Sequence, residues 1–160
     1  MARQFLTFTL QNSLYAVEVT KVQEVLNYVE PVRLPCTSDY VEGIINSRGE
    51  GISAINLRRR LGLESSEVSK KTRIIVLEIK NSGRKEGDEE LVSVYGAVAD
   101  SVEEVLEIDE KTIEPAPKFG NSIPEEYISG IGKKDEKFII ILNVEKIFSE
   151  KSLKEAVSKA

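Results

Sequence analysis

The 160-residue chain has no histidine and no tryptophan, one cysteine and one methionine. Each absence removes a class of chemistry. Without imidazole there is no acid–base of the usual neutral-pH kind, no imidazole metal ligand and no phospho-accepting histidine. No serine, Ser129 before Gly130 included, has the partner that a serine–histidine triad requires. One thiol cannot build a zinc site. Cys36 cannot form an internal disulfide, which fits a reducing cytoplasm, and burial as an inert thiol is expected. Long hydrophobic runs are also missing. The longest aliphatic stretch lies near Phe138–Leu142, far short of a membrane span. Met1-Ala-Arg-Gln leads at once into alternating residues, so no secretory leader is expected.

What is present is ordinary for a globular protein: 41% hydrophobic and 31% charged residues, with a net charge of −5. The length suits one domain or two small barrels sharing an interface. The acidic balance argues against a broad phosphate-binding face. Gly130-Ile-Gly132-Lys133-Lys134 superficially resembles a phosphate loop. It lacks the glycine spacing and the hydroxyl residue after the lysine, and reads better as a turn between strands. The acidic cluster Glu86–Glu90 has too few spaced oxygen ligands for a calcium loop.

Period-two alternation dominates the chain. Phe5–Leu10 and Leu14–Val19 read as strands joined by a turn at Gln11-Asn12-Ser13. Val22–Val29 reads as a short helical turn running into a strand. Pro31 and Pro35 interrupt regular structure until Ser38, which is placed to cap a helical turn through Tyr40-Val41. Leu57–Leu63 predicts one helical turn closed by Gly62, its three arginines forming a solvated face. Arg73–Ile79 and Leu91–Ala99 predict strands around a charged loop, Asn81–Glu90, while Ser101–Ile108 suits either helix or strand. Pro115 and Pro117 enforce an extended connection. Tyr127–Gly132 and Lys137–Leu142 predict two more strands, and Asn143 caps a closing amphipathic helix on Val144, Ile147 and Phe148. About ten short strands suffice for two five-stranded barrels, with one long sandwich as the competing architecture. No simple internal repeat is visible.

The most informative stretch is Gly43-Ile-Ile-Asn-Ser-Arg-Gly-Glu-Gly-Ile-Ser-Ala-Ile-Asn-Leu57. Two apolar runs flank a polar tip, and Gly49 and Gly51 permit positive φ or a bulge there. Such a hairpin holds the Arg48 guanidinium out toward solvent, suited to grip a carboxylate or carbonyl on another protein. From local chemistry alone an ordinary surface arginine is the simpler reading.

In order along the chain, several segments resemble the CheW family of chemotaxis adaptors. They are Phe5–Leu10, Tyr15-Ala-Val-Glu-Val19, Lys21-Val-Gln-Glu-Val25, Tyr40-Val-Glu-Gly43, Asn46-Ser-Arg-Gly49 and Asn56-Leu-Arg58. The series continues with Ile113–Pro117, Tyr127–Gly132 and Ile140–Ile147. The order and spacing of these segments carry the resemblance. It implies a mainly β fold: two SH3-like five-stranded β-barrels packed side by side, with short helices and a C-terminal helix. Residues 1–150 would form one CheW-like domain, barrel one taking most of 13–80 and barrel two 1–12 with 81–150, and 151–160 would be a tail. The implied function is non-catalytic and needs no cofactor or metal. It couples the cytoplasmic tips of methyl-accepting chemoreceptors to the CheW-like regulatory domain of the histidine kinase CheA, in the cytoplasm at membrane-associated arrays. Neither membrane insertion nor nucleic-acid binding is implied. Carried over from the family's turn motif and the block before it, Arg48, Val22 and Glu24 would contact the receptor. Ser47 replaces the aliphatic residue usual in that motif, Glu50–Ala54 replaces a more apolar strand, and Asn56 stands where aspartate is common. These departures leave room for a divergent CheW-like module serving another receptor class or signalling complex. A small β-barrel enzyme acting through carboxylates or lysines is the reading from a different class. There is no room for receiver, phosphotransfer or ATP-binding domains.

Overall fold

In the computed structural model, residues 2–35, 38–64, 67–81, 91–115 and 125–148 are described. Cys36, the acidic cluster at 86–90, Pro117 and the 151–160 tail lie outside them. The elements are β1 (Ala2–Leu10), β2 (Ser13–Glu18), β3 (Val22–Asn27), β4 (Val41–Ser47), β5 (Glu50–Asn56), α1 (Leu57–Arg60), β6 (Arg73–Asn81), β7 (Leu91–Ala99), β8 (Ser101–Asp109), β9 (Ile128–Lys134), β10 (Lys137–Leu142) and α2 (Val144–Ile147). They form two five-stranded sheets, ordered β8-β1-β2-β10-β9 and β3-β6-β7-β5-β4.

Alternation explains why so many strand residues are buried on both faces. Along β6, Ile74 and Val76 enter a core private to their sheet, with Ile45, Ile52 and Ala54. Ile75, Leu77 and Ile79 enter a larger core shared with Leu6, Phe8, Leu10 and Tyr15 of the other sheet. That other sheet has its own private core of Phe5, Ala16, Ile108, Ile139 and Ile141. Successive side chains of one strand thus serve two cores, because their Cβ atoms alternate across the sheet. Among the described residues, three hairpins turn on two residues in the left-handed region: Gln11-Asn12, Arg48-Gly49 and Asp135-Glu136. That backbone matches the right-handed twist of the flanking strands.

Each sheet is closed by the same device. Beyond β3, Val32 exchanges backbone hydrogen bonds of 2.9 and 2.8 Å with Ile44 of β4. Beyond β8, Glu114 exchanges bonds of 3.0 and 2.7 Å with Ile131 of β9. The chain leaving one edge strand therefore pairs with the opposite edge, giving two SH3-like barrels without open edges there. The parallels go further. The Asn56 amide donates to the Tyr40 carbonyl at 2.7 Å, and the Asn143 amide to the Tyr127 carbonyl at 2.8 Å. Both asparagines cap the one-turn helix that follows. An internal repeat is therefore present. It escaped the sequence because it is permuted: the N-terminal hairpin β1–β2 fills in one barrel the place that β6–β7 fills in the other.

Several expectations are corrected. The partition into 13–80 and 1–12 with 81–150 misplaces two strands. Ser13–Glu18 stays with β1 because a two-residue turn pairs them from Phe5↔Glu18 to Leu10↔Ser13. Leu91–Ala99 stays with β6, paired from Arg73↔Ala99 to Asn81↔Leu91. The chain changes barrels at Val19–Lys21, a 3-10 turn, and again at Asp100. The helical turn thus precedes Val22, and the strand begins there. Ser38 caps no helix: its carbonyl accepts from the Val41 amide at 3.0 Å in a turn that opens β4. Ser101–Ile108 is strand, since both sides of the choice had similar apolar spacing and pairing with β1 decides it.

Candidate functional site

The β4–β5 hairpin narrows to a tip of Arg48 and Gly49 alone, with Ser47 paired to Glu50. Arg48 has φ 53° and Gly49 φ 83°. Gly51 is ordinary strand backbone opposite Asn46, so it supplies neither turn nor bulge. The Asn46 side chain accepts from the Gly49 amide at 2.9 Å, bracing the tip. The Arg48 side chain is 63% exposed, yet it forms an ion pair with Glu24, Nε standing 2.9 Å from Oε2. The same oxygen accepts from Ser47 Oγ at 3.3 Å.

Glu24 lies on β3 and Ser47 on β4, the two outer strands of their sheet order. Their contact therefore ties the barrel shut at the hairpin end. A bulge at Gln23 makes this possible. Val22 pairs with Leu77 but Glu24 with Val76, so the strand carries one extra residue. Leu77 faces the shared core and Val76 the private one. Val22 accordingly packs against the shared core, while Glu24 is turned to the face of its own barrel. The structure brings Glu24 and Arg48 together and sends Val22 to the other face.

The three arginines of α1 do not form the expected solvated face. Arg58 donates through Nε to both oxygens of Asp100, at 2.9 and 3.1 Å, and its Nη2 also meets Asp100. Burial opposes charge on Asp100, but the Arg58 hydrogen bonds, the Gln11 amide and the Arg58 charge together hold its carboxyl below the ordinary value. Arg60 donates to the Ile147 carbonyl at 3.2 and 2.8 Å. Its guanidinium lies 5.1 Å from the Tyr40 ring and 5.0 Å from the Tyr127 ring. Only Arg59 keeps an exposed setting, 3.7 Å from Asp39. Reading each arginine alone missed these partners, which lie 42 and 87 positions away.

A polar cleft of about 420 Å³ lies beside β4, lined in part by Tyr28, Arg33, Asp39, Glu42, Asn56 and Arg59. Burial pushes the Glu42 carboxyl up, against the lowering effect of an Asn56 hydrogen bond and of Arg59 and Arg33. Among the described residues no cluster of acidic or thiol side chains is arranged to hold a metal ion. No helix among them is long and apolar enough to cross a membrane.

Two closed five-stranded barrels thus share one core, and one of them carries a braced cation at a hairpin tip. The chain belongs to the CheW family: residues 4–152 match the CheW-like domain model. It is 33% identical over 153 residues to the chemotaxis protein CheW of Klebsiella aerogenes, covering 96% of this chain and 86% of that protein. The CheW of Bacillus subtilis is 28% identical over 154 residues, covering 96% and 92%. The crystal structure of scaffolding protein TtCheW from Thermoanaerobacter tengcongensis superposes with a TM-score of 0.79 at 36% identity, covering 93% of this chain and 89% of that one. The expected family and fold are thereby met.

Proposed function

We propose that this chemotaxis scaffold couples the cytoplasmic tips of chemoreceptors to the histidine kinase CheA, with residues 1–150 acting as one unit and without catalysis. Its place of action is the cytoplasmic face of the membrane, in receptor arrays. The observation that carries this reading is the CheW-like match over residues 4–152, supported by the exposed Arg48 at its braced turn. A receptor tip is a helical hairpin, and a presented guanidinium can fix its register through side-chain or backbone oxygens. Arg48 and Glu24 act together at that contact, while the partly buried Val22, on the opposite face of β3, contributes apolar packing. On the kinase side the partner is the CheW-like regulatory domain of CheA.

Reconstitution with a receptor fragment and CheA tests the proposal. Adding this chain should couple receptor state to kinase activity. Arg48→Ala should weaken receptor binding about ten-fold or more and leave binding to the CheA regulatory domain unchanged. A chain that binds neither partner points instead to a CheW-like module in another complex, a possibility that the Ser47 and Glu50-Gly51 departures keep specific.

A further inference from the structure

Ser47 occupies a position where strand alternation calls for an apolar side chain. Gly43, Ile45 and Ser47 are the buried residues of β4 on one face, and Ile45 belongs to the private core of that barrel. The Ser47 residue is only 5% exposed. A hydroxyl buried this far needs a partner, and Glu24 Oε2 at 3.3 Å supplies it. The carboxylate is an acceptor only, so it can hold the serine hydroxyl and Arg48 Nε at once.

This arrangement constrains Arg48 at both ends of its side chain. The backbone is set by the left-handed turn, and Nε is set by Glu24. The two terminal nitrogens carry the remaining donors of this largely exposed guanidinium, a fork suited to an outside acceptor. An aliphatic side chain at position 47 would withdraw the hydroxyl that helps orient the Glu24 carboxylate beside Arg48. The arginine would then sample more rotamers, and ordering it would oppose binding.

We infer that Ser47 is a positioning residue: through Glu24 it orients the Arg48 guanidinium for a hydrogen-bond acceptor on the receptor tip. The inference rests on the proposed role of Arg48. The test is titration of the full chain with the receptor-tip fragment and, separately, with the CheA regulatory domain. Ser47→Ala should weaken receptor-tip binding about five-fold, the equivalent of one hydrogen bond, and leave kinase-domain binding unchanged. Ser47→Thr keeps the hydroxyl and should restore affinity to within about two-fold, whereas Ser47→Val should not. In a Glu24→Ala background the serine has lost its partner, so Ser47→Ala should then change receptor affinity by less than about two-fold.

Additive effects of Ser47→Ala and Glu24→Ala, or full affinity in Ser47→Val, would overturn the positioning role. If Arg48→Ala itself leaves receptor binding intact, the proposed Arg48 contact and the positioning role fall together. If Arg48→Ala weakens binding but Ser47→Ala does not, the positioning role falls alone.

Discussion

Tyr40 and Tyr127 hold equivalent places in the two barrels and flank a single guanidinium, that of Arg60, at 5.1 and 5.0 Å. Each tyrosine precedes the strand that its barrel closes on, and each carbonyl accepts from a capping asparagine amide. Arg60 thus sits between the two halves of the repeat and also binds the carbonyl of Ile147 at the end of α2. Removing it should loosen the junction. Arg60→Ala is expected to cost about 2–4 kcal/mol, the sum of cation–π contacts and a charged hydrogen bond. Arg60→Lys should recover less than half, because an ammonium cannot stack between two rings while reaching the same carbonyl. Chemical denaturation of the three proteins measures both values.

Arg58 and Asp100 clamp α1 to the corner where the chain passes from β7 to β8. Because the folded Asp100 carboxyl lies below its ordinary value of 3.8, its contribution is present above that pH and is lost as pH falls further. Asp100→Asn should destabilise the protein at neutral pH by about 1–3 kcal/mol. The difference from the parent should shrink below pH ~4, where unfolded aspartate is protonated too. Urea unfolding from pH 7 down to pH 3 follows the trend. A gap that widens in acid contradicts the assignment.

Glycines at the closure points should rank in a definite order. A Cβ on Gly43 would stand 2.2 Å from the Val32 carbonyl oxygen, which belongs to the bond pair that closes its barrel. On Gly130 it would stand 2.5 Å from Ile113 Cγ2, a side-chain atom that can move, and 3.0 Å from the Glu114 carbonyl oxygen. On Gly49 it meets nothing, leaving only the strain of positive φ. Gly49→Ala should cost about 1 kcal/mol. Gly130→Ala should cost more, and Gly43→Ala most, read as successive falls in melting temperature.

Arg48 belongs to the surface energetically even though it is braced. Its side chain is 63% exposed, so the ion pair with Glu24 is largely screened. Arg48→Ala should therefore change folding stability by less than about 0.5 kcal/mol. Unfolding curves that overlay while receptor binding falls would separate a recognition residue from a structural one.

The sequence by itself determined the local pieces. Alternation marked most strands, the tips at Gln11-Asn12 and Arg48-Gly49 fell where turns were expected, Asn56 and Asn143 marked their helix starts, and Gly62 closed α1. Gly130–Lys134, expected as a turn, lies instead in strand β9, and the tip is at Asp135-Glu136. The ordered series from Phe5 to Ile147 identified the family, and the isolated Arg48 turn was visible within it. These features depend on neighbouring residues, whose steric and hydrogen-bonding preferences act within a few positions. Tertiary structure alone decided which strands share a barrel, because all three cores are apolar and each rewards the same alternation. It alone set the bulge at Gln23 that parts Val22 from Glu24. It also decided the fates of the three adjacent arginines, one clamped, one stacked and one exposed. Those outcomes turn on partners distant along the chain, so no local pattern encodes them.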